Sequence, residues 1–227
     1  MKSKKRKNLG VIKAVLLLGI FVCSTFCIRA LYIEFEKNKN EASSEIPLKW
    51  ELILVNNENK IPEDYTPELI SLDNGRMVDA RIYPALQKMF DDMRSENIYP
   101  VVGEGYRTAE EQEQMMEEKI DAYINEGHSR KRAEAFAENE VAAVGKSEHQ
   151  LGLAVDINAD KSLSTNDDVY AWLAENAYKY GFILRYPADK TDITGIDFEP
   201  WHYRYVGKDA AEEIWEQGVC LEEYLEK

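Results

Sequence analysis

Hydrophobic positions along this chain fall into three patterns, each of which predicts a different kind of segment. The first is an unbroken run, Ala14 to Ile28, with no charge, behind the basic stretch "MKSKKRKNLG". Its roughly 15 residues fall short of the ~20 that a spanning helix needs. Val11, Ile12 and Ala30 to Ile33 extend it if Lys13 and Arg29 snorkel to the interface. A signal-anchor over residues 1–33 is therefore expected. The alternative is a cleaved signal peptide, whose nearest cleavage pattern, "IRA" at Ile28 to Ala30, carries a bulky residue and a charge. Residues 34–49, including "EFEKNKNEASSEI", are polar and read as a linker to a domain spanning residues 50–227.

The second pattern has helical spacing. Ile82, Leu86, Met89, Phe90 and Met93 share one face, which predicts an amphipathic helix over Tyr83 to Ser95. Ala109 to Glu126, Arg130 to about Val144 and Asp167 to Tyr180 read as helices with polar outer faces, and Lys208 to Gln217 as a closing helix. The third pattern consists of short apolar runs that predict strands at Leu52 to Val55, Tyr99 to Gly103, Ala154 to Asn158, Phe182 to Arg185 and His202 to Val206. Strands joined by helices of uneven length, without regular βα alternation, predict an α+β fold. The chain has no internal repeat.

Charge sharpens this picture. Residues 1–31 carry seven Lys or Arg and no acid, so the formal charge of −14 leaves about −21 on the rest. A body this acidic is not expected to bind nucleic acid. The basic flank stays cytoplasmic by the positive-inside bias, which places the domain outside the membrane whether the segment is retained or cleaved. Beyond the apolar segment the only cysteine is Cys220, so no internal disulfide staples the domain.

Candidate chemistry rests on the histidines, of which the chain has three. His128, in "NEGHSRK", reads as a surface loop residue. The other two lie beside predicted strands, in "SEHQLGLAVDI" and "FEPWHYRYV". Strand alternation points Asp156 with Ala154 and Asn158, and His202 with Arg204, opposite to Trp201 and Tyr203. Asp156 and His202, joined by a loop bearing His149, can bring two imidazoles and one carboxylate to a point. That is a ligand set for catalytic zinc with one position left for water. Glu199 precedes His202 by three residues, and Pro200 holds it extended, free to act as a base. Each residue alone also has a structural explanation: a satisfied histidine, a strand-ending aspartate, a bend at Gly152.

The segments "SEHQLGLAVDI" and "EPWHYRYV" resemble the two signatures of the VanY-type zinc D-alanyl-D-alanine carboxypeptidases, S-x-H-x-x-G-x-A-x-D and E-x-W-H. The resemblance extends through "GYRTAEEQ", "YGFILRYP" and "TGI", from about Trp50 onward. Many relatives have Pro-Gly where this chain has Val144-Gly145, a difference that bears on loop rigidity. The resemblance implies a small central antiparallel sheet flanked by helices, of the hedgehog/DD-peptidase kind. It implies zinc held by His149, Asp156 and His202, with Glu199 as catalytic base and Arg107, Gln112 and Ser147 as substrate-binding residues. The implied substrate is the peptidoglycan stem peptide and the implied reaction is removal of its terminal D-alanine by a monomeric enzyme.

Generic chemistry agrees, because amide hydrolysis needs an activated water and a guanidinium fork suits a free terminal carboxylate. Three alternatives stay open: an L,D-carboxypeptidase, a stem-cutting endopeptidase, and a non-catalytic wall-binding module. Arg107 has an alternative reading as a turn arginine, Gln112 as a solvated helix residue, Ser147 as a brace for the His149 loop, and Trp201 as core packing.

Overall fold

The computed structural model describes residues 49–226. The expected signal-anchor, and all of the expected linker except Lys49, lie outside these described residues. Among the described residues no helix is long and apolar enough to cross a membrane.

The unit Trp50–Lys227 begins with a 3-10 turn at Trp50–Leu52 and a hairpin of β1 (Leu69–Ser71) and β2 (Met77–Asp79). There follow α1 (Tyr83–Ser95), β3 (Pro100–Glu104), α2 (Ala109–Asn125) and α3 (Arg130–Ala137). A second 3-10 turn at Glu148–Leu151 leads into β4 (Ala154–Ala159), then α4 (Asn166–Asn176), a third 3-10 turn at Ala177–Tyr180 and β5 (Phe182–Leu184). The chain closes with α5 (Thr191–Thr194), β6 (His202–Tyr205), α6 (Lys208–Gln217) and α7 (Leu221–Leu225). β3, β4, β6 and β5 lie side by side in that order as an antiparallel sheet, so the fold is α+β with a small sheet among helices.

Alternation along the strands divides the sheet into two faces. Val155 and Ile157 of β4 and Tyr203 of β6 are buried in the main core with Leu86, Met89, Phe90 and Met93 of α1 and Val169 and Leu173 of α4. Their strand neighbours Asp156, His202 and Arg204 point the other way. Beside that second face, Ile183 packs with Ala210, Ala211 and Ile214 of α6 and Leu221 of α7 in a smaller apolar cluster. Local signals set the helix starts: α1 opens with proline in its first turn, and α2 opens on a capping box between Thr108 and Glu111.

Three expectations need correction. Leu52 to Val55 is not a strand, although its alternation is real: Ile53 and Val55 enter the main core while Leu52 and Leu54 pack on the smaller cluster. In place of a strand partner, Arg204 Nη2 donates to the carbonyl of Ile53 at 2.9 Å and to that of the preceding Glu51 at 3.1 Å. The helix expected to reach Val144 stops at Ala137, and the Ala142 carbonyl instead accepts from the Gln112 side chain at 2.6 Å. The helix expected over Asp167 to Tyr180 ends at Asn176 and tightens into 3-10 geometry before Gly181. His128 lies in the loop between α2 and α3, as expected, partly exposed and with its ring against Tyr123 and Phe136 at centroid distances of 6.0 Å and 5.1 Å.

Candidate active site

In the sheet register Asp156 of β4 lies directly opposite His202 of β6. Period-2 alternation therefore delivers both side chains to the same face, and Asp156 Oδ1 is 3.2 Å from His202 Nδ1. His149 arrives from the 3-10 turn before β4, its Nε2 3.5 Å from the same Asp156 oxygen. That turn ends at Gly152 with φ of +71°, and a Cβ there would sit 3.0 Å from the Asp79 backbone nitrogen. The left-handed conformation costs an ordinary residue about 1–2 kcal/mol, so glycine is what lets the turn bring His149 back over the strand.

The protonation pattern of His149 follows from its other nitrogen. Nδ1 lies 2.8 Å from the Gly105 carbonyl, which can only accept. Nδ1 therefore carries a proton, which leaves Nε2, on the Asp156 side, as the nitrogen available to a metal. The His149 and His202 rings meet edge to face, with centroids 4.9 Å apart at 81°. One ligand atom from each of His149, Asp156 and His202 can be chosen so that all lie within 4.8 Å of one another. Asp156 Oδ1 is buried without a hydrogen-bond partner, although it lies between two imidazole nitrogens. A cation bound by all three would satisfy that orphaned oxygen, so the residues fit a zinc ion held by two nitrogens and one oxygen.

The electrostatics point the same way. Burial alone would lower the His202 pKa, but the carboxylates of Asp156 and Glu148 outweigh it and push it up to about 9. Burial likewise opposes ionisation of Asp156, yet His149 and His202 hold its carboxyl well below the usual carboxylate range. The site thus holds a positive charge in place even when that charge is only a proton.

Glu199 stands beside this cluster with Oε2 3.6 Å from His202 Nδ1. A tight turn fixes it there: its backbone N–H donates to Tyr186 and its carbonyl accepts from His202. Burial, with the Asp156 charge adding to it, raises its pKa above the ordinary carboxyl value against the pull of His202, His149 and Arg107. A cavity of about 210 Å³ opens over the cluster and is lined also by Arg107, Gln112, Ser147, Val141 and Trp201.

All seven sequence-predicted residues thus meet at one cavity. Arg107 is buried, with Nη1 donating to Gln112 Oε1 at 2.9 Å and Nη2 3.6 Å from Glu104 Oε2. Its Nε is buried without a partner, a donor that an anionic ligand could satisfy. The Arg107 backbone N–H donates to the His149 carbonyl at 3.2 Å, which ties the guanidinium to the metal-binding turn. Gln112 is buried rather than solvated and links Arg107 to the segment after α3. Ser147 is buried on the cavity wall and makes no side-chain capping bond to the turn it precedes. Trp201 is half-buried on the same wall.

Sequence reasoning missed the charged layer beneath the site. Glu148, Arg185, Arg204 and Glu222 are all buried and joined by hydrogen bonds of 2.6 to 2.9 Å. The available signal was an arginine at the end of or inside each of two apolar strands, "FILR" and "HYRYV". A charge in such a place requires a buried partner.

Two imidazoles and a carboxylate converging at one point, a second carboxylate alongside, and an open cavity form a site that fits a single metal ion on an α+β scaffold. The chain belongs to the VanY family: the model described as D-alanyl-D-alanine carboxypeptidase matches residues 75–208. It is 56% identical over 177 residues to a D-alanyl-D-alanine carboxypeptidase of Enterococcus faecalis, covering 78% of this chain and 66% of that protein, just under two thirds of its length. Among solved structures it is similar to a mutant of the VanY D,D-pentapeptidase from a VanB-type vancomycin-resistance cassette in complex with Zn(II). That similarity has a TM-score of 0.76 and 56% identity over 78% of this chain and 99% of that one. It is equally similar to VanYB in complex with D-alanine-D-alanine, with a TM-score of 0.77 and 56% identity over 79% of this chain and 99% of that one.

Proposed function

We propose that this chain is a zinc-dependent D-alanyl-D-alanine carboxypeptidase that removes the terminal D-alanine from peptidoglycan stem peptides. The observation that carries this reading is the convergence of His149, Asp156 and His202 beside Glu199 in a cavity whose wall holds a buried arginine with an unpartnered donor. The relatives bound to zinc and to D-alanine-D-alanine support it.

In this reading His149 Nε2, Asp156 Oδ1 and His202 Nδ1 hold the metal. Zinc, when bound, supplies Lewis acidity, which makes water an effective nucleophile near neutral pH and draws charge from the scissile carbonyl. Glu199 takes the proton of the attacking water and returns it to the leaving amine. Its raised pKa brings the carboxyl closer to the working pH, which favours both halves of that transfer. Arg107 pairs with the substrate's terminal carboxylate, and Gln112 keeps the guanidinium from turning away. Ser147 lines the same wall within reach of the bound peptide. On this reading the enzyme is a monomer, supported by a site to which one chain supplies the metal ligands, the base and the substrate-binding residues.

The test of exopeptidase action is a stem pentapeptide with its C-terminus amidated. Wild type is expected to cleave the amide poorly, because it lacks the charge that Arg107 holds. Arg107→Lys is expected to lower kcat/KM on the free acid by about ten- to a hundredfold at unchanged zinc content, since it keeps the charge and loses the fork. Equal cleavage of acid and amide by wild type would point to the endopeptidase reading. Faster turnover of tetrapeptide than pentapeptide stems would point to L,D-specificity.

Residues 1–33, on this reading, anchor the enzyme in the cell membrane as a single pass with the domain on the wall side. Their support is the basic flank followed by a charge-free run. Protease added to intact cells is expected to remove the domain and spare Lys2 to Lys7. A mature chain beginning after Ala30 would show cleavage and secretion in place of an anchor.

A further inference from the structure

At the second nitrogen of the His202 ring, two buried polar atoms face each other and neither has a hydrogen-bond partner. They are His202 Nε2 and Glu148 Oε2, 3.7 Å apart. The other Glu148 oxygen is fully used, since Oε1 accepts from Arg185 Nε at 2.8 Å and from Arg204 Nη1 at 2.9 Å. Both arginines are themselves fixed. Arg185 forks onto Glu222 at 2.8 Å and 2.6 Å. Arg204 donates to the carbonyls of Glu51, Ile53 and Tyr205. The two arginines balance the two glutamates, so the Glu148 carboxylate stays ionised in a place where an isolated one would not. What the network leaves free is a single carboxylate oxygen aimed at an imidazole nitrogen.

We propose that Glu148 is a positioning residue for the metal: it accepts the Nε2–H of His202 and so fixes the tautomer whose Nδ1 lone pair faces the ion. This rests on the zinc reading above and adds to it. The two histidines then ligate through opposite nitrogens, each locked by what its other nitrogen meets. For His149 the lock is the neutral Gly105 carbonyl. For His202 it is a carboxylate, which makes the imidazole the more electron-rich donor of the two. A shift of roughly 0.7 Å brings the His202–Glu148 pair to ordinary hydrogen-bond length. If Glu148 served only to pair the arginines, the folded protein's metal affinity would not depend on its charge.

The experiment uses the purified full-length chain labelled with nitrogen-15 in its histidines, of which there are three, loaded with zinc. Long-range proton–nitrogen spectra are expected to show His202 protonated at Nε2, with a proton that exchanges slowly with water. In Glu148→Gln, which keeps an acceptor but not its charge, zinc affinity is expected to fall about 10- to 100-fold. The His202 ring proton should move upfield while the His149 ring signals stay in place. A proton on Nδ1 of His202 in the zinc-loaded wild type overturns the proposal, as does unchanged zinc affinity in folded Glu148→Gln. If the variant does not fold, the wild-type spectrum alone decides. A wild-type chain that takes up no zinc overturns the proposed function itself, an outcome distinct from either.

Discussion

Replacing Glu199 by glutamine is expected to lower turnover by about 10²- to 10⁴-fold while leaving the zinc content of the protein unchanged. The substitution preserves shape and removes only the ability to accept a proton. Glu199 sits 3.6 Å from His202 Nδ1, near the metal-binding atoms but outside the three-residue ligand set. The two effects should therefore separate cleanly: metal analysis unchanged, kcat collapsed, KM for the stem peptide little altered. Its raised pKa adds a second readout, since a base lifted by burial switches on at a higher pH than an exposed carboxylate. The acidic limb of the wild-type kcat/KM profile should accordingly disappear in the variant. Near-normal kcat in Glu199→Gln would assign the base elsewhere. Absence of turnover in the zinc-loaded wild type would instead favour the reading of the domain as a wall-binding module, which has no use for a base.

The metal-binding cluster was legible in the sequence because its geometry follows from a local rule. Asp156 and His202 each lie on a short apolar strand, and alternation alone decides which face each occupies. Their direct pairing in register was not legible, because it depends on β4 and β6 being neighbours. The partners of the buried arginines were not legible for the same reason made stronger: Glu148, Arg185 and Glu222 come from a turn, a strand end and the last helix. No period links such positions. The Leu52 to Val55 segment shows the converse error. Its short apolar run predicts a strand, yet a strand also needs a partner edge, and here Arg204 takes the carbonyls of Glu51 and Ile53. The β1–β2 hairpin went unpredicted because its strands are three residues each and its burial is weak on β1. Helix ends failed where tertiary contacts decided them, as at Ala137, beyond which the chain folds back so that the Ala142 carbonyl meets Gln112.

His202→Ala is expected to abolish stoichiometric zinc binding and with it all measurable turnover, and the reason has a pH signature in the wild type. In the metal-free protein the Asp156 and Glu148 carboxylates, against the effect of burial, push the His202 pKa up to about 9 from the ordinary histidine value of 6.5. Zinc needs the Nδ1 lone pair, so one proton must leave, and zinc affinity should drop about tenfold for each pH unit below 9. The sign for stability follows from the same shift. A group whose folded pKa is raised contributes fully below its unfolded value and loses that contribution as pH climbs through the folded one. Metal-free wild type should therefore lose stability between about pH 6.5 and 9, by on the order of a few kcal/mol at most. The zinc-loaded protein should not, because the metal then takes the place of the Nδ1 proton that faces Asp156, while Nε2–H stays directed at Glu148. His202→Ala leaves Asp156 and Glu148 without either cation, so it should be less stable than metal-free wild type at pH 6.5 and approach it at pH 9. Urea unfolding at pH 6.5, 7.5 and 9, with and without a chelator, reads all three curves. A metal-free wild type whose stability is flat or rises across that range would break the link between the carboxylates and His202. A variant that still held one zinc per chain would remove His202 from the ligand set.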